Sequence, residues 1–110
     1  MAKLTLDRFL KAWKAGNYLK MYKFSQITWK SNHSKNDLEL RFKGLNLDDY
    51  SIGHSQSASP SIFAFKVQAK INGVWKTEHE VNVICEEAFY KPSEKGVWGV
   101  NPVSATKLLN

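Results

Sequence analysis

Near residue 46 the apolar spacing of this chain changes from a repeat of three and four to a repeat of two. That switch restricts the fold to a block of helices followed by a block of strands. Before it, Leu6, Phe9, Leu10 and Trp13 fall at i, i+3, i+4 and i+7, one stripe of an amphipathic helix, with Arg8, Lys11 and Lys14 off the stripe. Gly16-Asn17 supplies a glycine to end that helix and an N-cap to start a second on a new heading. On the second, Tyr18, Met21, Tyr22 and Ser25 repeat the spacing while Lys20 and Lys23 turn elsewhere. The β-prone centre of "SQITWKS" predicts a short strand over residues 27–29. Ser34 and Asp37 have the spacing of a capping box, opening a short helix whose Leu38, Phe42 and Leu45 line one face and which Gly44 ends.

Beyond the switch, Tyr50, Ile52 and His54 alternate with Asp49, Ser51 and Gly53, and Phe63, Phe65, Val67, Ala69 and Ile71 alternate with Ile62, Ala64, Lys66, Gln68 and Lys70. These read as two antiparallel strands joined through Ser-Ala-Ser-Pro-Ser. A third strand carries Trp75, Thr77, His79, Val81, Val83 and Cys85 on one face and Lys76, Glu78, Glu80, Asn82 and Glu86 on the other. Asn72-Gly73 has the composition of a two-residue hairpin turn, but that register would set Ala69 beside Lys76 and mix core with solvent. A three-residue loop, Asn72-Gly73-Val74, keeps the faces apart. It opposes Ile71 to Trp75, Val67 to His79 and Phe65 to Val81, and sets Lys66 across from Glu80 on the outer face. "KPSEKG" reads as a turn and "VWGVN" as a last strand closed by Pro102. The expectation is an α+β chain, a curved antiparallel sheet wrapped around N-terminal helices, in one domain spanning 1–110, since 110 residues bury a single core.

Charge is divided as sharply as periodicity. The net charge is +6, yet residues 1–43 hold ten Lys/Arg against three Asp/Glu, whereas residues 44–110 hold six against seven. Because the helical spacing buries the aromatics away from these cations, exposed rings for base stacking are missing, and nucleic acid is disfavoured as a partner. The basic face reads first as a solvated surface. No stretch approaches the roughly 18 consecutive apolar residues of a membrane span. Cys85 is the only cysteine, so neither an internal disulfide nor a four-thiolate zinc site can form. The start, Met1-Ala2-Lys3-Leu4-Thr5, has no apolar secretion core. As written, the chain reads as cytoplasmic, or as extracytoplasmic if excised from an anchored parent.

The run "FLKAWKAGNYLKMYKF", the later "NDLELRFKGL", the hairpin around "INGVW" and the terminal "VWGVNPVS" together resemble the nuclear transport factor 2-like superfamily, also called the cystatin-like or ketosteroid-isomerase-like cone fold. Within it, the chain is most similar to small bacterial domains related to the non-enzymatic N-terminal domain of methicillin-resistance-type penicillin-binding proteins. The resemblance implies a sheet wrapped around helices with a pocket at the open end of the cone, where some members catalyse and many only bind. The residues whose expected faces turn toward such a pocket are Trp13, Tyr18, Tyr22, His54, Phe65, His79 and Trp98.

Steroid isomerases of this fold use a carboxylate base with a tyrosine and a protonated acid as oxyanion donors, which requires acids on the concave face. Here Glu78, Glu80 and Glu86 alternate outward, and Asp48-Asp49 point to opposite sides of a strand. His54 and His79 both fall on inward faces, but a buried histidine is more often a hydrogen-bonded structural group than a base, and a metal would need a third ligand. His33 lies in a polar loop. Cys85 stands six residues of extended chain from His79, roughly 20 Å, too far for a thiolate–imidazole pair. No phosphate-cradling glycine loop or nucleophile elbow is present, so no catalytic residue, metal or cofactor is assigned. The leading expectation is a non-catalytic binding or accessory domain that engages a small ligand or protein partner through the pocket or the sheet. Outer-face Ile62, Ala64 and Ile84 also offer a route to a homodimer. The alternatives are an isomerase- or dehydratase-like enzyme using His54, His79 and Tyr22, and a basic adaptor docking on a polyanion.

Overall fold

A computed structural model describes residues 1–106. Helix α1 (Ala2–Lys14) buries Leu6, Phe9, Leu10 and Trp13, the stripe that the spacing requires. It ends where Gly16, at φ +70°, bonds its N–H to Trp13 O (2.9 Å) and Asn17 N–H reaches Ala12 O (2.9 Å), the paired bonds of a Schellman ending. The Asn17 side chain then accepts from Lys20 N–H (3.1 Å), so one residue closes α1 and caps α2 (Tyr18–Lys23). Met21 is fully buried on α2, with Tyr18 and Tyr22 half-buried beside it.

The segment expected to be a strand at residues 27–29 is instead α3 (Ile27–Asn32). Two tertiary contacts override its β-propensity. Ser25 and Gln26 lie against Gly99, where any Cβ would come within 2.5 Å of Gln26 Cα, and a single parallel bridge there uses Gln26 N–H to Val100 O (2.9 Å) and Val100 N–H to Phe24 O (2.8 Å). One residue pair further on, the Glu86 carboxylate accepts the Thr28 N–H and starts the helical turn. The next helix, α4 (Lys35–Phe42), opens with the reciprocal box expected from the sequence, Ser34 N–H to Asp37 Oδ2 (2.7 Å) and Asp37 N–H to Ser34 Oγ (3.2 Å). Gly44, at φ +77°, follows its end.

The strands β1 (Leu47–Ser59), β2 (Ile62–Ile71), β3 (Val74–Trp75), β4 (His79–Ala88), β5 (Lys91–Pro92) and β6 (Val97–Val100) form one antiparallel sheet in the order β1-β2-β4-β5, with β3 paired to β2 and β6 to β4. The register between β2 and β4 is the expected one: Val67 opposes His79, Lys66 opposes Glu80 and Phe65 opposes Val81. The connection differs. Ile71 pairs with Val74 and Lys70 with Trp75 across a two-residue turn whose Asn72 (φ +52°) and Gly73 (φ +82°) are both left-handed. One extra residue between Trp75 and His79 restores the alternation, Lys76 N–H bonding to Ala69 O at 2.8 Å. The turn is tied from outside: Gly73 N–H donates to Asp48 Oδ2 (2.6 Å), and the Asn72 side chain bridges Asn46 N–H (3.0 Å) and Gly44 O (2.9 Å). Trp75 consequently projects outward, 47% exposed, rather than into the core.

A second bulge falls between Ile52, opposite Val67, and Ser55, opposite Phe65. Tyr50 and Ile52 pack on the core ahead of it, but two residues, Gly53 and His54, then face one on β2, and His54 is turned to solvent. Over the sheet's inner face lie Phe9, Trp13 and Phe42, with Phe42 edge-on to Phe9 (6.0 Å between ring centres) and to Trp13 (4.8 Å). After β6, Asn101 and Pro102 open α5 (Pro102–Thr106), whose Ser104 Oγ accepts from Asn82 N–H (2.9 Å) along the edge of β4. No helix among the described residues is long and apolar enough to cross a membrane.

Candidate functional site

Alternation along β2 places Phe63 and Phe65 on the face that carries the core, and across β4 the pairing of Cys85 with Trp98 brings the Trp98 indole to the same side. Phe63 lies 5.6 Å from Trp98 and 6.2 Å from Phe65, centre to centre, forming an aromatic wall. The first turn of α1 stands opposite, so Met1, Ala2 and Lys3 close a recess of about 410 Å³ whose rim includes Ser55 and Pro60. Phe65 is nearly covered while Phe63 and Trp98 remain half-buried, so the wall keeps ring area open to a guest. Among the described residues Lys3 is the one charged side chain in the lining, and neither a carboxylate nor an imidazole belongs to it. Such a surface supplies apolar contact with the Lys3 ammonium at its edge.

Of the seven side chains expected to share a pocket, the structure brings Phe65 and Trp98 together here. Trp13 is instead a core residue, its indole N–H donating to Leu45 O at 2.8 Å. Tyr18 borders a different, shallow depression with Asn36, Leu40 and Lys43. The Tyr22 hydroxyl is occupied at the end of α3, 2.9 Å from His33 O and 3.2 Å from Lys30 O, with its ring edge-on to Trp29. His33 stacks flat on Trp29 (4.4 Å, 8°), tied to Trp29 O through Nδ1 at 3.0 Å.

His54 is exposed, for the bulge described above. His79 is buried, as its face requires, with Nε2 3.2 Å from Ala105 O. Because that oxygen can only accept, the ring carries its proton on Nε2, and Nδ1 is left buried without a partner among the described residues. Burial pushes its pKa below the ordinary 6.5, against smaller opposing contributions from backbone carbonyls such as Ala105 O. The two imidazoles and Tyr22 thus occupy three separate surroundings.

Sequence reasoning missed one polar cluster entirely. Glu86, expected on the outer face, is 2% exposed; its carboxylate accepts Thr28 N–H (3.0 Å) and Thr28 Oγ1–H, while Thr28 Oγ1 accepts Tyr90 N–H (2.8 Å). Nothing in the local pattern distinguishes Glu86 from its exposed neighbour Glu87, so only the docking of α3 reveals it. Cys85 is buried and free beside it. Among the described residues no group of three or more His, Cys, Asp or Glu is arranged to hold a metal ion. Comparison with protein-family models and with curated proteins found no match.

Proposed function

We propose that this chain is a non-catalytic binding domain of the nuclear transport factor 2-like kind, taking a small, largely apolar ligand into the recess between the α1 N-terminus and the sheet. The observation that carries this reading is the half-open wall of Phe63, Phe65 and Trp98 opposite Lys3. A recess of about 410 Å³ lies within the usual range for small-molecule sites. A ligand with an aromatic or alicyclic body and one anionic group would meet ring surface on one side and the Lys3 ammonium on the other. The enzyme alternative has no comparable support, because His54, His79 and Tyr22 do not converge. The outer-sheet route to a homodimer has less free surface, since Ile62, Ala64 and Ile84 are each already half-covered.

The test uses 8-anilinonaphthalene-1-sulfonate, an apolar fluorophore with one sulfonate, titrated into the folded protein. Saturable binding is expected, weakened roughly tenfold in Trp98→Ala, a loss of about 1.4 kcal/mol, and unchanged in Trp75→Ser on the far hairpin. A response that does not saturate, or that survives Trp98→Ala while falling in Trp75→Ser, would remove the recess as the site.

A further inference from the structure

We infer that the groove between α1 and α2 is a docking site for a single-chain phosphodiester polyanion, held through its phosphates and not its bases. The helix-ending bonds at Gly16 and Asn17 fold α2 back beside α1. The cations that the sequence scatters over one basic half are thereby gathered onto two walls. Arg8 and Lys11 line one wall and Lys20 and Lys23 the other, with Ala12 and Ala15 as a low floor, enclosing about 420 Å³. Each wall carries its two cations three residues apart, about 5–6 Å between Cβ atoms, so the groove offers paired positive rungs to a linear chain of charges. No carboxylate among the described residues lines it.

Outside the groove and among the described residues, Lys35, Lys66 and Lys91 are ion-paired with Glu39, Glu80 and Glu87, while Lys3, Lys14, Lys30, Lys43, Lys70, Lys76, Lys95 and Arg41 are dispersed without an ion pair. In the groove only Lys11 has an ion pair among the described residues, to Asp7 at 3.1 Å, and Arg8, Lys20 and Lys23 have none. Unpaired like charges facing one another across a cleft are costly alone and are relieved by an anion, and the concave walls focus the positive field inward.

Shape and aromatic placement decide which anion. The cations sit on the walls of a cleft, so a flat lipid surface could meet the rims but not the lining, and the convex backbone of a duplex would fit no better. A single strand can lie within. Phe24, at the end of the groove, is half-buried and covered by the Arg8 guanidinium (6.0 Å) and the Lys23 ammonium (5.7 Å). Its face is therefore spent on holding two cations in place, and base stacking is not on offer. Binding is expected to ignore base identity. With three to four phosphates neutralised, log K should fall against log salt with a slope of about −2 to −3 for a single strand.

Fluorescence anisotropy with labelled oligo(dT) and oligo(dA) tests this on the intact chain. Both should bind alike at low salt with that slope. Lys20→Gln combined with Lys23→Gln should weaken binding roughly tenfold and flatten the slope by about 1.4, whereas Lys35→Gln with Lys43→Gln, at the start of α4 and just past its end, should change little. Lys20, Lys23 and Lys43 are exposed and Lys35 is half-buried, and circular dichroism verifies that the variants fold. Absence of binding at low salt would overturn the inference, as would equal loss from the α4 pair, a strong dA or dT preference, or tighter binding to duplex or to phosphatidylglycerol vesicles. Trp98→Ala should leave oligonucleotide binding intact, so failure here and failure of the recess are separately readable.

Discussion

Replacing Glu86 by glutamine removes one charge and one acceptor from the contact that sets the start of α3, while keeping the side chain's shape. In the native protein the buried carboxylate accepts two hydrogen bonds from Thr28, through its N–H at 3.0 Å and through its hydroxyl. Hydrogen bonds to a charged partner contribute about 1.5–3 kcal/mol each, and neutral ones about 0.5–1.5. Glutamine retains one acceptor for Thr28 N–H and presents its NH₂ to a hydroxyl that already accepts from Tyr90 N–H. The expected loss is about 2 kcal/mol, which for a domain of this size lowers Tm by roughly 8 °C. Glu86→Ala, which also orphans the Thr28 N–H and opens a cavity, should cost about 3–5 kcal/mol. Urea unfolding followed by tryptophan fluorescence reads both, with the midpoint shifting and the slope unchanged. In a double-mutant cycle, Thr28→Val and Glu86→Gln should couple by about 1–2 kcal/mol. A Glu86→Gln protein within about 0.5 kcal/mol of the parent, or a coupling near zero, would refute the claim that this carboxylate anchors α3.

His79 makes stability depend on pH in a defined window. Its folded pKa is lowered by burial, so the unfolded chain binds the proton first as pH falls. Stability is complete above about 6.5 and declines from there down to the folded pKa, by about 1.4 kcal/mol for each unit of depression. His79→Gln should flatten that part of the curve, and an unaltered profile would show that His79 is not responsible. The lowered carboxyls of Asp7, held chiefly by the Tyr50 hydroxyl, and of Asp37, held chiefly by Ser34 N–H, act only below about pH 4, where their stabilising contacts are lost. Gly99→Ala should part β6 from the α2–α3 link, since the new Cβ falls 2.5 Å from Gln26 Cα and 2.7 Å from Ser25 O, at a cost of about 1–3 kcal/mol or more. Amide exchange at Gln26 and Val100 should accelerate in that variant, and unchanged protection would count against the close approach.

Residues that determine their own local structure were legible in the sequence. The stripe Leu6, Phe9, Leu10 and Trp13, the Gly16-Asn17 break, the Ser34–Asp37 box and the alternation of β2 and β4 all operate over a few neighbouring positions, where spacing and backbone preference act alone. What depended on a distant partner was not. The Asn72-Gly73 turn follows its own left-handed preference because an extra residue downstream absorbs the mismatch, and no local pattern marks where such a residue is placed. His54 lost its inward face to the bulge at Ile52 and Ser55 for the same reason.

The recess itself was half visible. Phe63, Phe65 and Trp98 could be assigned inward faces from alternation, but that Phe63 meets Trp98 in one wall, and that Trp13, Tyr18, Tyr22, His54 and His79 lie elsewhere, was decided by packing. The sequence by itself determined that helices precede strands, which faces are apolar, and that cations gather in the first half, because periodicity and composition are properties of the chain. Only the tertiary structure decided that Glu86 is buried, that residues 27–29 are helical, and that four cations face one another across a cleft. Those outcomes require hydrogen bonds and close approaches between segments far apart along the chain, such as the 58 positions from Thr28 to Glu86.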